Sequence, residues 1–225
     1  PLTAEILEQV NEPEFAINGD FRGKDIISIE QFKRDDIAQV LILADQYKRM
    51  DEAQEGKKYR YILEDKMIAV CFYQPSTRTY LSFMAAGQKL GAQTLGYPGM
   101  VEFSSVNKGE SLEDTIKTIE ALQCDAIVLR HPEDDSALIA ANAVETPIIS
   151  GGAGKLEHPT QALLDLFTVV QETGQSPSNL HIAFVGDLKN GRTVHSLAKL
   201  MAIMGNQQMS FVSPEVVKMP TNLIS

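Results

Sequence analysis

The chain has 225 residues, of which 44% are hydrophobic and 22% charged, with a formal net charge of −10 and a pI near 4.9. Such a chain can bury a sizeable core in one large or two modest domains. Its acidity argues against a nucleic-acid surface or an anionic membrane partner, and an anionic small substrate would have to be held by local cations against the overall field. Cys71 and Cys124 are the only cysteines, too few for a disulfide framework and suited to a reducing compartment. The opening PLTAEILEQVNEPEF is acidic with no following apolar run, and no apolar stretch approaches the ~18 residues of a membrane span, so a cytoplasmic protein without a membrane partner is expected.

Residues 1–27 read as an irregular or partly helical lead-in. Ser28 with Gln31 has the form of a capping box, and Ile37, Val40, Leu41, Ala44 and Tyr47 then mark the inward face of a helix that ends in the polar run 48–58. Residues 67–73 read as a buried strand, and from Tyr80 the apolar positions switch to helical spacing at Phe83, Met84, Gly87 and Leu90. Between them lies Gln74-Pro75-Ser76-Thr77-Arg78-Thr79. A strand that turns into a helix leaves the first helical N–H groups unpaired at the positive end of the helix dipole, which makes an anion site. Ser76, Thr77 and Thr79 add hydroxyls, and Arg78 adds a planar cation matched to two phosphate oxygens. A blander reading has Ser76 or Thr77 capping the helix while Arg78 faces solvent.

Residues 92–97 read as a second strand and 98–110 as a long loop; loops of that length are often functional. Ser111 and Asp114 form a second box, opening a helix with Leu112, Ile116, Ile119 and Leu122 inward. The run DAIVLR is a strand ending at Arg130, followed by a helix over 134–144, a strand over 147–150 and a glycine-rich loop over 151–157. Pro159 suits the first turn of a helix with Leu163, Leu166, Phe167 and Val170 on its apolar stripe. A strand (180–185), a loop (186–191), a helix reaching Met204 and a strand (209–212) complete the series.

Alternating strands and helices predict parallel sheets with right-handed crossovers, in which ligands sit beyond the carboxyl ends of the strands. Ser76 to Thr79, Arg130, the loop before His158, and Arg192 each follow such an end. Taken singly, Arg130 reads as an exposed arginine, His158 as a helix-start residue, Lys108 as a solvated lysine and His195 as packing or capping. The spacing Gly186-x4-Gly191-Arg192-Thr193 comes one residue from a nucleotide-binding loop, with Arg where Lys is required.

FYQPSTRTYLSF at 72–83, RHP at 130–132, HPTQALLDLFT at 158–168 and VGDLKNGRTVHSL at 185–197 occur in this order over nearly the whole chain. Together they resemble the aspartate and ornithine carbamoyltransferases. The resemblance implies two doubly wound parallel-sheet α/β domains: residues 1–150 binding carbamoyl phosphate, and 151–225 beginning an aspartate-binding domain that is incomplete in this chain. It assigns Ser76, Thr77, Arg78 and Thr79 to the phosphate, and Thr79, Arg130 and His158 to the carbamoyl oxygen. Gln161 would accept from the carbamoyl nitrogen. Ser104 or Ser105 and Lys108, in SSVNKG, match a segment that reaches a neighbouring subunit's site, which implies at least a homotrimer with shared active sites and leaves room for a larger assembly with regulatory chains.

Aspartate is a dicarboxylate and wants Arg, whereas ornithine would want carboxylates, so Arg192 in its GRTVHS context resembles the aspartate enzymes. The implied reaction is carbamoyl transfer to L-aspartate in pyrimidine synthesis, without metal or organic cofactor. Gln74, Ala153 and Glu157 stand where the family usually has Glu, Asp and Gln, and Glu157 is expected to bear on closure or on the protonation of His158. Family chains also continue past Ser225. The expectation is therefore a fragment or partner-dependent piece that binds carbamoyl phosphate and turns over poorly alone. A transferase for another amine and a non-catalytic binding paralogue are the alternatives.

Overall fold

In the computed structural model the described residues are 15–155 and 157–221, so part of the lead-in expected over 1–27 lies outside them. Four parallel strands, β1 (Met67–Phe72), β2 (Gln93–Tyr97), β3 (Ala126–His131) and β4 (Ile148–Ala153), form one sheet in the order β2-β1-β3-β4. Two more, β5 (Ile182–Val185) and β6 (Met209–Val212), form a second parallel sheet. The helices between them are α1 (Arg34–Glu52), α2 (Thr77–Lys89), the short α3 (Met100–Phe103), α4 (Leu112–Ala121), α5 (Ser136–Ala143), α6 (Pro159–Thr173) and α7 (Arg192–Ile203).

Strands β1, β3 and β4 are buried on both faces because they are apolar at consecutive positions, whereas the edge strand β2 is mostly exposed. Ala69, Cys71, Ile127, Leu129 and Ile148 pack with Ile116 of α4 and Ala137, Leu138 and Ala140 of α5. Their neighbours Val70, Phe72 and Val128 turn the other way, onto Tyr80, Phe83 and Met84 of α2. A further core joins Ile29, Phe32 and Ile37 to Ala162, Leu163 and Leu166 of α6 and to Leu200 and Met201 of α7. The second sheet packs Phe184 and Phe211 against α7, while Val185 and Val212 remain 73% and 54% exposed. Among the described residues no helix is long and apolar enough to cross a membrane.

Several elements differ from the sequence expectation. The Ser28–Gln31 box is present but caps a single 3₁₀ turn, Ile29–Gln31. Helix α1 begins only at Arg34, where buried Asp36 accepts from Lys33 N and Gly19 N at 2.7 Å each. The stretch 98–110 is not an open loop, since α3 and a 3₁₀ turn, Ser105–Lys108, occupy most of it. Leu122 ends α4 and is exposed rather than inward. Strand β4 runs on through Gly151, Gly152 and Ala153, three residues expected in the following loop. The lead-in also touches this sheet: Ile26 forms a parallel bridge with Ile149.

Candidate active site

From β1 the chain moves outward to β2, then returns to β3 and β4 on the other side. Such a reversal opens a crevice between the carboxyl ends of adjacent strands. A cavity of about 440 Å³ lies there, lined by Ser76, Arg78 and Thr79 after β1, Arg130 in β3, His158 and Gln161 after β4, and Arg192 after β5. Ser82, Phe83, Thr160, Leu164 and Thr193 complete the lining, which contains three arginines and no acidic residue.

The β1–α2 turn forms one wall. Ser76 holds the N-cap position in extended backbone, yet its hydroxyl makes no capping bond, so the first-turn N–H groups lack the side-chain acceptor that a capping serine supplies. Arg78 is exposed at the cavity mouth, and Thr79 is half-buried. Thr77 is exposed and lies outside the lining.

The opposite wall is desolvated. Arg130, expected as an exposed arginine when taken alone, is buried, and its Nη1 donates to Gly151 O at 2.9 Å. Burial, helped by the nearby Arg192 cation, draws its pKa down to about 10, so it remains charged at neutral pH. Arg192 donates from Nη1 to Gly154 O at 2.6 Å, and burial lowers its pKa as well. His158 sits at the N-cap of α6, before Pro159, as its helix-start reading requires, but its side chain caps nothing. Its backbone N–H donates to Ser196 Oγ at 3.0 Å, and Nδ1 faces Thr160 Oγ1 at 3.4 Å. Nε2 of His158 and Nε of Arg130 are buried without a hydrogen-bond partner among the described residues. Burial first, then repulsion from Arg130 and Arg192, brings the His158 pKa down to about 4. Its imidazole is therefore neutral at pH 7, a hydrogen-bond donor or acceptor rather than a cation.

All three groups meet at Gly152. Its φ is +116°, and a Cβ there would lie 3.0 Å from Arg130 Nη1 and 3.4 Å from both Arg192 Nη1 and His158 Cδ2. Only glycine fits both the backbone and the space. Gln161 donates its Nε2 to Asp165 at 2.8 Å, which leaves its carbonyl oxygen as the remaining polar group of the amide.

Glu157 does not act on His158 as expected. Its carboxylate accepts from Ser28 Oγ, Ile29 N and Lys199 Nζ, and the charges that move the His158 pKa are the two arginines. The nucleotide-loop reading fails for a related reason. In the loop after β5, Asp187 accepts from the backbone N–H groups of Lys189 and Asn190, so a carboxylate already takes the donors that a phosphate would need. His195 is buried with its ring bonded to Leu188 O at 2.8 Å, a packing and loop-holding role. Ser104 caps the 3₁₀ turn by accepting from Val106 N, and Lys108 is exposed at the end of that turn; neither lines the cavity of its own chain. Sequence reasoning missed Gly152 and Thr160. The adjacent glycines 151 and 152 were a signal for close approach of groups to the backbone.

Residues 24–171 match the family described as aspartate/ornithine carbamoyltransferase, carbamoyl-P binding domain. The chain is 46% identical over 204 residues to the aspartate carbamoyltransferase catalytic subunit of Methanosarcina barkeri, covering 91% of this chain and 64% of that one. It is 42% identical to the catalytic subunit of Thermococcus onnurineus, with the same coverage of each. Among solved structures, the aspartate transcarbamoylase of Trypanosoma cruzi in complex with carbamoyl phosphate superposes with a TM-score of 0.82 at 39% identity, covering 94% of this chain and 64% of that one. The same enzyme in complex with N-(phosphonacetyl)-L-aspartic acid gives 0.81 at 40% identity, covering 90% and 61%. The chain thus spans about 64% of the length of the curated relatives it matches.

Proposed function

The chain belongs to the aspartate/ornithine carbamoyltransferase family, and from that premise we propose that its cavity binds carbamoyl phosphate and L-aspartate for carbamoyl transfer. The observation that carries this reading is a lining with three arginines and no acidic residue in a chain of net charge −10. Two anions fit such a site, and an ornithine ammonium finds no carboxylate there.

In this reading Ser76, Arg78 and Thr79 hold the phosphate with the first turn of α2, and Thr77 keeps no more than a main-chain role. In the tautomer this reading uses, the His158 proton is on Nε2 and Nδ1, 3.4 Å from Thr160 Oγ1, is the acceptor; the Nε2–H together with Arg130 and Thr79 faces the carbamoyl oxygen. The aspartate amine attacks the carbamoyl carbon. A C–N bond forms, negative charge collects on the carbonyl oxygen, and the C–O bond to phosphate then breaks as the amine's surplus proton passes to the departing phosphate. Because His158 is neutral it stabilises that oxygen by hydrogen bonding, without transferring a proton. Gln161 accepts from the carbamoyl nitrogen through its free carbonyl oxygen, and Arg192 takes a carboxylate of aspartate. The product is N-carbamoyl-L-aspartate, a precursor for pyrimidines, in a cytoplasmic setting.

We assign residues 1–150 to the carbamoyl-phosphate domain and 151–225 to the start of the aspartate domain. Ser104 and Lys108, which do not line the cavity of their own chain, would serve a neighbouring subunit in a homotrimer. The test is calorimetric titration with carbamoyl phosphate. Saturable binding that Arg130→Ala weakens about 100-fold supports the reading, and binding indifferent to Arg130, or none, contradicts it.

A further inference from the structure

Helix α7 presents Arg192, Ser196 and Lys199 at i, i+4 and i+7, on one face. Each grips the same short stretch of chain. Arg192 holds Gly154 O, Ser196 Oγ accepts from His158 N, and Lys199 Nζ pairs with Glu157 Oε1 at 2.8 Å. The last contact belongs to a larger cluster. Lys199 also reaches Glu30 Oε1 at 2.6 Å, while the Glu157 carboxylate takes Ser28 Oγ at 3.0 Å and Ile29 N at 2.9 Å. Exposed ion pairs contribute little, but here the Lys199 side chain is 13% exposed and that of Glu157 only 6%, so each charge depends on the other. Glu157 precedes His158 directly, yet its carboxylate is taken up by Ser28, Ile29 N and Lys199 and makes no bond to the ring.

We propose that Glu157 and Lys199 are positioning residues for His158: the pair clamps the peptide that carries the imidazole between α7 and residues 28–30, and turns the adjacent carboxylate away from Nε2. The inference rests on reading His158 as a donor to the carbamoyl oxygen. It makes α7 a single lever that sets Arg192 and His158 together.

The test compares Lys199→Gln, Glu157→Gln and the double variant by titration with carbamoyl phosphate and by NMR titration of the His158 ring. Lys199→Gln leaves a buried carboxylate without its cation beside the site. It is expected to weaken carbamoyl phosphate about tenfold and to raise the His158 titration midpoint, while the double variant, with two neutral amides, recovers to within about threefold, a coupling usual for groups in contact. Glu157→Gln keeps the side-chain volume and serves where Lys199→Gln does not fold; it must weaken binding by about threefold. Lower melting temperatures with unchanged affinity and an unchanged His158 titration overturn the proposal. Failure of the parent protein to bind carbamoyl phosphate contradicts the functional reading instead, and the His158 titration of the variants still decides whether the clamp acts on the ring.

Discussion

The two walls of the cavity recognise charge in different ways. On the α2 side, Arg78 is exposed and acts alongside hydroxyls and helix N–H groups that water can reach. On the other side Arg130 and His158 are buried, Arg192 is half-buried, and all three are held by backbone or side-chain bonds around Gly152. The first wall is suited to capturing an anion that arrives hydrated. The second is buried and held in place, where low dielectric strengthens each hydrogen bond. On the proposed reading, the open wall tolerates change better than the buried one.

The largest expected effect comes from breaking the buried wall. Arg130→Ala strips Gly151 O of its donor and removes a buried cation, and carbamoyl phosphate affinity should fall by about 100-fold, the scale for truncating a desolvated charged contact. The same variant should raise the His158 titration midpoint, because one of the two repelling cations is gone.

Next is acid. His158 has a folded pKa of about 4, below the usual 6.5, so the unfolded chain binds its proton more tightly. The stability this group confers is complete above about pH 6.5 and is lost as pH falls toward about 4, a difference of about 3 kcal/mol. Chemical denaturation at pH 7 and pH 4.5 should show that loss in the parent and much less of it in His158→Gln.

Gly152→Ala comes third. The positive φ and the 3.0 Å approach to Arg130 should cost about 1–3 kcal/mol of stability and displace both arginines, which thermal melts and carbamoyl phosphate titration would detect. The smallest effect belongs to the open wall. Arg78→Ala should leave the melting temperature unchanged and weaken carbamoyl phosphate about tenfold at low salt, less at high salt, because an exposed charge is screened.

Much of this contrast was legible in the sequence. The alternation of strands and helices placed Ser76–Thr79, Arg130, His158 and Arg192 at strand ends; parallel pairing gathers the ends of β1, β3 and β4 at one edge, while Arg192 reaches the cavity from the second sheet. Burial was not legible, because it depends on what covers a residue. Arg130 looked like a surface arginine because its cover, the β4 backbone, comes 21 residues later. Glu157 looked like a charge beside His158 because its partners, Ser28 and Lys199, lie 129 and 42 residues away. The stretch 98–110 looked unstructured because α3 and the 3₁₀ turn after it span only four residues each, too short for a periodic signal.

The most direct test of a cavity built for two anions is calorimetric titration with N-(phosphonacetyl)-L-aspartic acid alongside carbamoyl phosphate. The analogue, which joins a phosphonate to an aspartate, is expected to bind at least about 100-fold more tightly, since it engages both walls without the entropy of a second association. Equal and weak binding of the two would show that only the phosphate wall functions, and would contradict the assignment of Arg192 and the buried wall to the second substrate.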